Sequence, residues 1–367
     1  MRKVSLVQPD LSGNEYRYLA ECVDTGWVSS KGKFIHLFEN QFAQFIGTKS
    51  AVSTSSGTAA LHLALVALGL SSNDEVLVPD LTFVATANAV AYTGAKPVLV
   101  DVDRNSWNIA PEHILEKITP HTKAVIVVHL YGNPVDMTSI SRIAKKYGLY
   151  VIEDAAEAHG AQYRNKTVGS LGDIGCFSFY GNKIITTGEG GMITTNSKRI
   201  ADKVRFLRDH AMDKTRSYYH PCIGFNYRMT NLQAAIGLAQ LERIDSFISK
   251  KLSIAAKYDQ LLHRLDSLIE LPPRASGLKN VFWMYSVVLK RKKLRDKLRQ
   301  HLAKNGIESR PFFVPLHQMP MYKELNTYPN SNYLSKNGIS LPSSIFLTDS
   351  DIEYVSKTIR SFASSYA

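Results

Sequence analysis

Between residues 50 and 195 the chain alternates short apolar runs with helical patterns, and this alternation limits the possible folds more than any other feature. Apolar runs near 75–79, 97–101, 123–129, 149–153 and 174–179 read as strands, and the stretches near 59–70, 82–92, 111–118 and 138–147 carry helical spacing. Strands that are apolar at nearly every position are buried on both faces, as happens when helices cross over between parallel neighbours. Ala51 to Ser55 adds a strand before the series, GGMITTN at 190–196 adds one after it, and a helix follows from Lys198 to His210. The expected class is α/β, a mostly parallel sheet sandwiched by helices.

Residues 211–230, rich in Tyr, Pro, Asn and Gly, read as an ordered loop. Asn231 then caps a long helical pattern from Leu232 to about Leu265 that carries the chain out of the first unit. Beyond it come a strand at 281–289, a basic helix, an extended segment at 307–314 and a closing helix after Thr348, where Asp351 stands in for the Glu of a capping box. Two domains are expected: a large α/β unit with an N-terminal arm at 1–245, and a smaller α+β unit at 246–367 entered through the long helix. With 367 residues, 44% of them hydrophobic, the chain can build both cores.

The net charge of +12 raises nucleic acid as a partner. Much of the excess sits in KRKKLRDKLR at 290–299, seven basic residues on a helix with Leu294, Leu298 and Leu302 along its apolar stripe. A solvated helix face accounts for that run, and no zinc finger, helix-turn-helix or aromatic RNA motif accompanies it; a nucleic-acid-binding protein on the same fold is the competing reading. Cys22, Cys176 and Cys222 are odd in number and lack metal-ligand spacing, which predicts reduced structural thiols and no metal. The start, MRKVSLVQPD, is basic, but its short apolar run is broken by Gln8 and Pro9, so neither a signal peptide nor a membrane span is expected and the predicted location is the cytoplasm.

Chemistry concentrates in FSFYGNKIITTGEGGM at 177–192, which places Lys183 alone in a short polar, glycine-rich turn between apolar runs. A partly buried lysine is a candidate Schiff-base former, because burial disfavours its charged form and leaves a nucleophilic amine. Upstream, the strand Tyr150 to Ile152 runs into Glu153 and Asp154, so an acid stands at a strand's carboxyl end, where open α/β sheets bind ligands. Farther back, Ser56, Gly57 and Thr58 join a strand to an apolar helix: glycine lets the backbone approach, and helix N-terminal amides face an anion. Amine, acid and amides are the parts needed to hold the aldehyde, pyridine nitrogen and phosphate of pyridoxal phosphate.

These residues carry a family resemblance. TGWVSSKG at 25–32, TSSGTAALHLAL at 54–65, DLTFVATANAV at 80–90, EDAAEAHGA at 153–161, the lysine segment, and GFNYRMTNLQAAIGLAQLERI at 224–244 resemble, in this order, the DegT/DnrJ/EryC1/StrS sugar aminotransferases, fold-type I pyridoxal phosphate enzymes. The resemblance implies a fold-type I aminotransferase in which Lys183 joins the cofactor and then moves protons. Relatives with histidine at that position dehydrate instead. It further implies that Asp154 pairs with the pyridine nitrogen, Glu157 lies near the cofactor hydroxyl, Phe83 stacks on the ring, and Gly57, Thr58 and Ser178 hold the phosphate. Asn226 would reach the phosphate of the neighbouring subunit, making a homodimer with shared sites. Implied partners are L-glutamate and a nucleotide-linked keto sugar, with pyridoxamine phosphate formed between two half-reactions.

HLYGNPVDM at 129–137, NVFWMYSVVL at 280–289 and SRPFFVPLHQMPMY at 309–322 resemble the branch that converts GDP-4-keto-6-deoxymannose to GDP-perosamine for surface polysaccharide. A UDP- or dTDP-linked 3- or 4-keto sugar is the alternative. Arg310, His317 and Gln318 in the last stretch are the candidate substrate ligands, since Arg forks suit phosphate and His and Gln bond hydroxyls. The aromatic cluster Tyr218, Tyr219 and His220 lies in the loop next to the expected interface and carries no assigned role.

Overall fold

The computed structural model describes residues 2–291 and 293–365. After α1 (Glu15–Asp24) and α2 (Lys33–Ile46) the chain alternates through β1 (Ser50–Thr54), α3 (Gly57–Leu68), β2 (Glu75–Pro79), α4 (Ala85–Tyr92), β3 (Lys96–Val100), α5 (Pro111–Lys117), β4 (Thr122–Val128), α6 (Met137–Tyr147) and β5 (Tyr150–Asp154). Short strands β6 (Gln162–Tyr163) and β7 (Lys166–Thr167) precede β8 (Ile174–Ser178), β9 (Gly191–Thr195) and α7 (Lys198–Arg208). One seven-stranded sheet results, in the order β1-β9-β8-β5-β4-β2-β3. The pairs from β8 to β3 are parallel, and β9 alone is reversed, antiparallel to both neighbours.

Six strands therefore share one direction, and the carboxyl ends of β1, β5 and β8 open at the same edge of the sheet. That shared edge makes a site from residues far apart in sequence. The helix α3 is apolar around nearly its whole circumference and is buried throughout Ala59–Leu65, as a helix without a polar face must be. On another side, α2 sets Phe42 edge-on to Phe177 and Phe179, with ring centroids 5.0 and 5.4 Å apart. Strand alternation then turns Ser178, between those two phenylalanines, the other way.

The long helical pattern from 232 to about 265, whose break point the sequence does not mark, is two helices, α8 (Asn231–Leu241) and α9 (Ile244–Leu262). Arg243 leaves helical geometry at the break, with φ −114° and ψ 3°. The N-terminal arm supplies the cause: Arg243 pairs with Asp10 at 2.6 Å, and Gln240 Nε2 donates to Asp10 O and Glu15 Oε1. The cap is also one residue earlier than expected. Thr230 forms a capping box with Gln233, which frees Asn231 to donate to Trp27 O and accept from Phe34 N, fastening the α1–α2 connection.

The rest comprises β10 (Ile269–Glu270), β11 (Leu278–Lys279), β12 (Ser286–Leu289), α10 (Leu294–Lys304), β13 (Arg310–Pro311), α11 (Pro329–Asn337), β14 (Gly338–Ser340) and α12 (Asp349–Ser364). Strands β10, β12, β14 and β13 form an antiparallel sheet covered by α9, α10 and α12 through Ile254, Tyr258, Leu298, Leu302, Val355 and Ile359. β12 starts later than the expected 281, because Phe282 turns to φ 47° with its amide held by Asn280 Oδ1. α10 buries Leu294, Leu298 and Leu302 as predicted, while Lys292 of its basic run lies outside the described residues. Thr348 and Asp351 form the capping box that begins α12. The arm lays Val4 beside Ile307, so the chain's start is joined to its later half. Among the described residues no helix is long and apolar enough to cross a membrane, and all three cysteines are free thiols.

Candidate active site

The carboxyl ends of β1, β5 and β8 converge on a cavity of about 520 Å³, lined by Gly57, Thr58, Phe83, Asp154, Glu157, Ser178, Lys183 and Arg310 among others. Each enters from a different local cause. Asp154 ends β5. Lys183 stands in the turn after β8, its amide bonded to Tyr180 O at 2.9 Å. Gly57 and Thr58 open α3, where Ser56 caps the helix by accepting from Ala59 N at 3.1 Å. The first two amides of a helix have no carbonyl within it to bond, so those of Gly57 and Thr58 are available to an anion.

Asp154 is 6% exposed, with Oδ2 accepting from Thr86 Oγ1 at 2.9 Å and Oδ1 from Ala156 N at 3.2 Å. Burial pushes its carboxyl above the usual range, opposed by those hydrogen bonds and by the nearby Lys183. Glu157 is also pushed up by burial; Lys183 and the Tyr131 amide, which donates to Oε2 at 2.8 Å, act the other way. Lys183 Nζ lies 3.7 Å from Glu157 Oε1 and 4.0 Å from the centroid of the Trp283 ring. Burial depresses its pKa, Glu157 and Asp154 raise it, and Arg310 lowers it.

The arrangement fits pyridoxal phosphate. Two buried carboxylates held in place can accept from a protonated ring nitrogen and from a ring hydroxyl, and a desolvated amine can meet an aldehyde. The phosphate end is close-packed: a Cβ on Gly57 would stand 2.7 Å from Ser178 Cβ, so glycine alone lets the α3 amides and the Ser178 hydroxyl share one cradle. Phe83 lines the cavity, is 56% exposed and lies 5.8 Å from Phe313.

Three expected residues stand apart from this lining. Asn226 is exposed on the 209–230 segment, its Oδ1 accepting from Arg228 Nε at 3.1 Å. His317 is held by Asp80, which accepts from its amide at 2.9 Å and contacts Nδ1 at 2.8 Å, and its ring stacks on Tyr328 at 4.8 Å. Gln318 donates to Asn332. Tyr218 is 90% exposed and Arg216 lies over the Tyr219 ring.

Sequence reasoning missed Thr86, Tyr131 and Trp283. Thr86 was within reach, as it follows Thr82 by one helical turn in DLTFVATANAV, and the two hydroxyls meet at 3.1 Å. Tyr131 has a left-handed backbone (φ 53°) and Trp283 arrives from the distant NVFWMY stretch, neither of which has a local signal.

The model of the DegT/DnrJ/EryC1/StrS aminotransferase family matches residues 9–360. The chain is 50% identical to a GDP-perosamine synthase of Caulobacter vibrioides over 96% of each chain, and 46% identical to one of Escherichia coli O157:H7 over 99% of this chain and all of that one. It superposes on the crystal structure of the aminotransferase TlmJ from Streptoalloteichus hindustanus with a TM-score of 0.95 at 31% identity, covering both chains fully. The chain belongs to the DegT/DnrJ/EryC1/StrS aminotransferase family and is an enzyme with pyridoxal phosphate as its cofactor.

Proposed function

We propose that the protein transfers an amino group from L-glutamate to C4 of GDP-4-keto-6-deoxymannose, giving GDP-perosamine for surface polysaccharide, and that it does so in the cytoplasm as a homodimer. The observation that carries the reading is the meeting of the Lys183 amine, the Asp154 carboxylate and the N-terminus of α3 at one sheet edge. The choice of sugar rests on the two full-length relatives named GDP-perosamine synthase.

Each residue has a task in this reading. Bound pyridoxal phosphate supplies an aldehyde that takes up amino groups and a ring that accepts the electrons released at the neighbouring carbon. Asp154 keeps a proton on the ring nitrogen, Thr86 holds that carboxylate in line, and Glu157 accepts from the ring hydroxyl. The Gly57 and Thr58 amides with Ser178 anchor the phosphate, and Phe83 covers a ring face. With the cofactor bound, Lys183 would use Nζ to take the proton from the donor's α-carbon and return it to the neighbouring reacting carbon, and in the second half-reaction would run the same proton transfer in reverse on the sugar carbon. Arg310, at the cavity wall and without a side-chain hydrogen bond or ion pair among the described residues, offers its fork to the anionic groups of either substrate. In this proposal His317 and Gln318, bonded to Asp80 and Asn332 outside the cavity lining, bind the sugar by exchanging those partners for its hydroxyls.

Asn226 serves the partner's phosphate in this proposal, which agrees with its exposure and its place outside its own cavity. The exposed Tyr218–Tyr219–His220 segment would then face the same interface. The division of the chain into units at 1–245 and 246–367 is likewise proposed, with the substrate entering between them.

The test is mass spectrometry of products after incubation with L-glutamate and a panel of GDP-, UDP- and dTDP-linked 3- and 4-keto sugars. The proposal expects a GDP-linked 4-amino-4,6-dideoxyhexose as the main product. Amination confined to UDP or dTDP sugars would overturn the substrate assignment and leave the enzyme class standing.

A further inference from the structure

Trp283 has no role in what precedes, yet its ring touches the reacting amine. Lys183 Nζ lies 4.0 Å from the indole centroid, with Glu157 Oε1 at 3.7 Å as its other close polar neighbour. An ammonium over an indole face is attracted by the ring's negative face, most strongly when both are out of water. Here both are: Trp283 is 2% exposed and the Lys183 side chain 11%.

The indole is fastened on every side. Its Nε1–H donates to Asn182 O at 2.7 Å, the residue directly before the lysine. The main-chain carbonyl of Trp283 accepts from Nζ of the buried Lys251 at 2.9 Å, which also donates to Ser343 O at 2.6 Å. Its ring is stacked with that of Tyr131 at 6.3 Å and 17°. Gly132 lets the neighbouring backbone come this close, since a Cβ there would stand 3.1 Å from Trp283 N. A ring merely filling space needs none of these ties.

We propose that the face of Trp283 is the resting seat of the Lys183 ammonium whenever the amine is not joined to the cofactor, and that this seat sets the pH at which the amine becomes nucleophilic. The proposal rests on Lys183 being the residue that joins pyridoxal phosphate. The other groups acting on the amine come from several elements: Glu157, just after β5, and Asp154, its last residue, favour the charged form, Arg310 on β13 opposes it, and His159 is kept neutral by burial, its pKa pushed down to about 3. Glu189 also lines the cavity. Trp283 adds a favourable contact to the charged form without adding a charge, so it offsets part of the burial cost and raises the amine's pKa.

Joining the aldehyde forms a carbon–nitrogen double bond, expels water and requires the unprotonated amine, so the rate at which the full-length protein, stripped of cofactor, captures added pyridoxal phosphate reports that pKa. The experiment follows growth of the lysine-linked absorption band against pH in wild type, Trp283→Phe, Trp283→Leu and Trp283→Met, the last two so that an aromatic-free variant reports even if one is unstable. The aromatic-free variants are expected to reach half-maximal capture about 0.5 to 1.5 pH units lower than wild type, the span between an exposed and a desolvated cation–π contact, while Trp283→Phe stays near wild type. An unchanged or higher midpoint without the aromatic ring, or an equal fall in Trp283→Phe, overturns the proposal. A wild-type protein that never forms the band overturns the cofactor role of Lys183 itself, and the seat with it.

Discussion

The Thr86 hydroxyl donates to Asp154 Oδ2 at 2.9 Å across 68 residues of sequence. Thr82 Oγ1 lies 3.1 Å behind it, so a short hydroxyl relay holds the carboxylate that the ring nitrogen needs. Removing the donor leaves a buried carboxylate oxygen unpaired and raises a pKa that burial has already raised. Thr86→Val is therefore expected to weaken pyridoxal phosphate binding by about tenfold to a hundredfold, the worth of a hydrogen bond to a charged group. Titration of the cofactor band measures it, and Thr86→Ser should restore most of the loss; equal losses in both variants would show that shape, not the hydroxyl, is what matters.

Gly57→Ala tests the phosphate cradle. The added Cβ would come within 2.7 Å of Ser178 Cβ and 3.2 Å of its backbone Cα, so α3 must shift away from β8. Overpacking of this kind costs about 1 to 3 kcal/mol, and the displaced amides should lose phosphate affinity as well. Thermal unfolding and cofactor titration read the two effects separately; a variant with wild-type values in both would refute the close-approach argument.

Lys251 predicts a pH dependence. Burial lowers its pKa from the ordinary lysine value to about 7. Between pH 7 and about 10 the unfolded chain binds a proton there that the folded protein does not, so this residue makes stability rise with pH across that window, by at most about 1.4 kcal/mol per unit. Below pH 7 both states are protonated and the full burial cost is present. Lys251→Met lacks this term and leaves two buried carbonyls, of Trp283 and Ser343, without their donor. The variant's deficit in unfolding temperature relative to wild type should accordingly widen from pH 7 to pH 9, and a deficit that narrows over that range would contradict the argument.

The proposed sharing of sites across a dimer gives a mixing test. Lys183→Ala and Asn226→Ala homodimers should each be impaired, but a mixed dimer has one site with both residues intact. With random exchange, half the dimers are mixed and each carries one good site, so activity should recover to about a quarter of wild type. No recovery after demonstrated subunit exchange would place the action of Asn226 within its own chain.

What could be read from sequence, and what could not, divides along a physical line. Lys183, Asp154 and the Ser56–Gly57–Thr58 turn were legible because each sits where a strand ends, and periodicity locates strand ends without tertiary information. The α/β alternation was legible for the same reason. The break at Arg243 was not, since its cause is Asp10 at the far end of the chain, and the helical pattern runs through it unbroken. Asn231 looked like a cap because its type suits one; Thr230 took that place once Gln233 could complete the box. His317 had the right chemistry for a ligand, but Asp80, which follows β2, holds both its amide and its ring. Thr86, Tyr131 and Trp283 act through contacts with residues dozens to more than a hundred positions away, and composition carries no trace of such contacts.

The central claim is that one amine, Lys183, joins pyridoxal phosphate in the cavity built by β1, β5 and β8. Borohydride reduction of the cofactor-loaded protein makes such a link permanent, and peptide mass mapping then locates it. The account predicts a phosphopyridoxyl group on the peptide containing Lys183 and on no other. Its appearance on a different lysine, with the Lys183 peptide unmodified in protein that has taken up cofactor, would contradict the account.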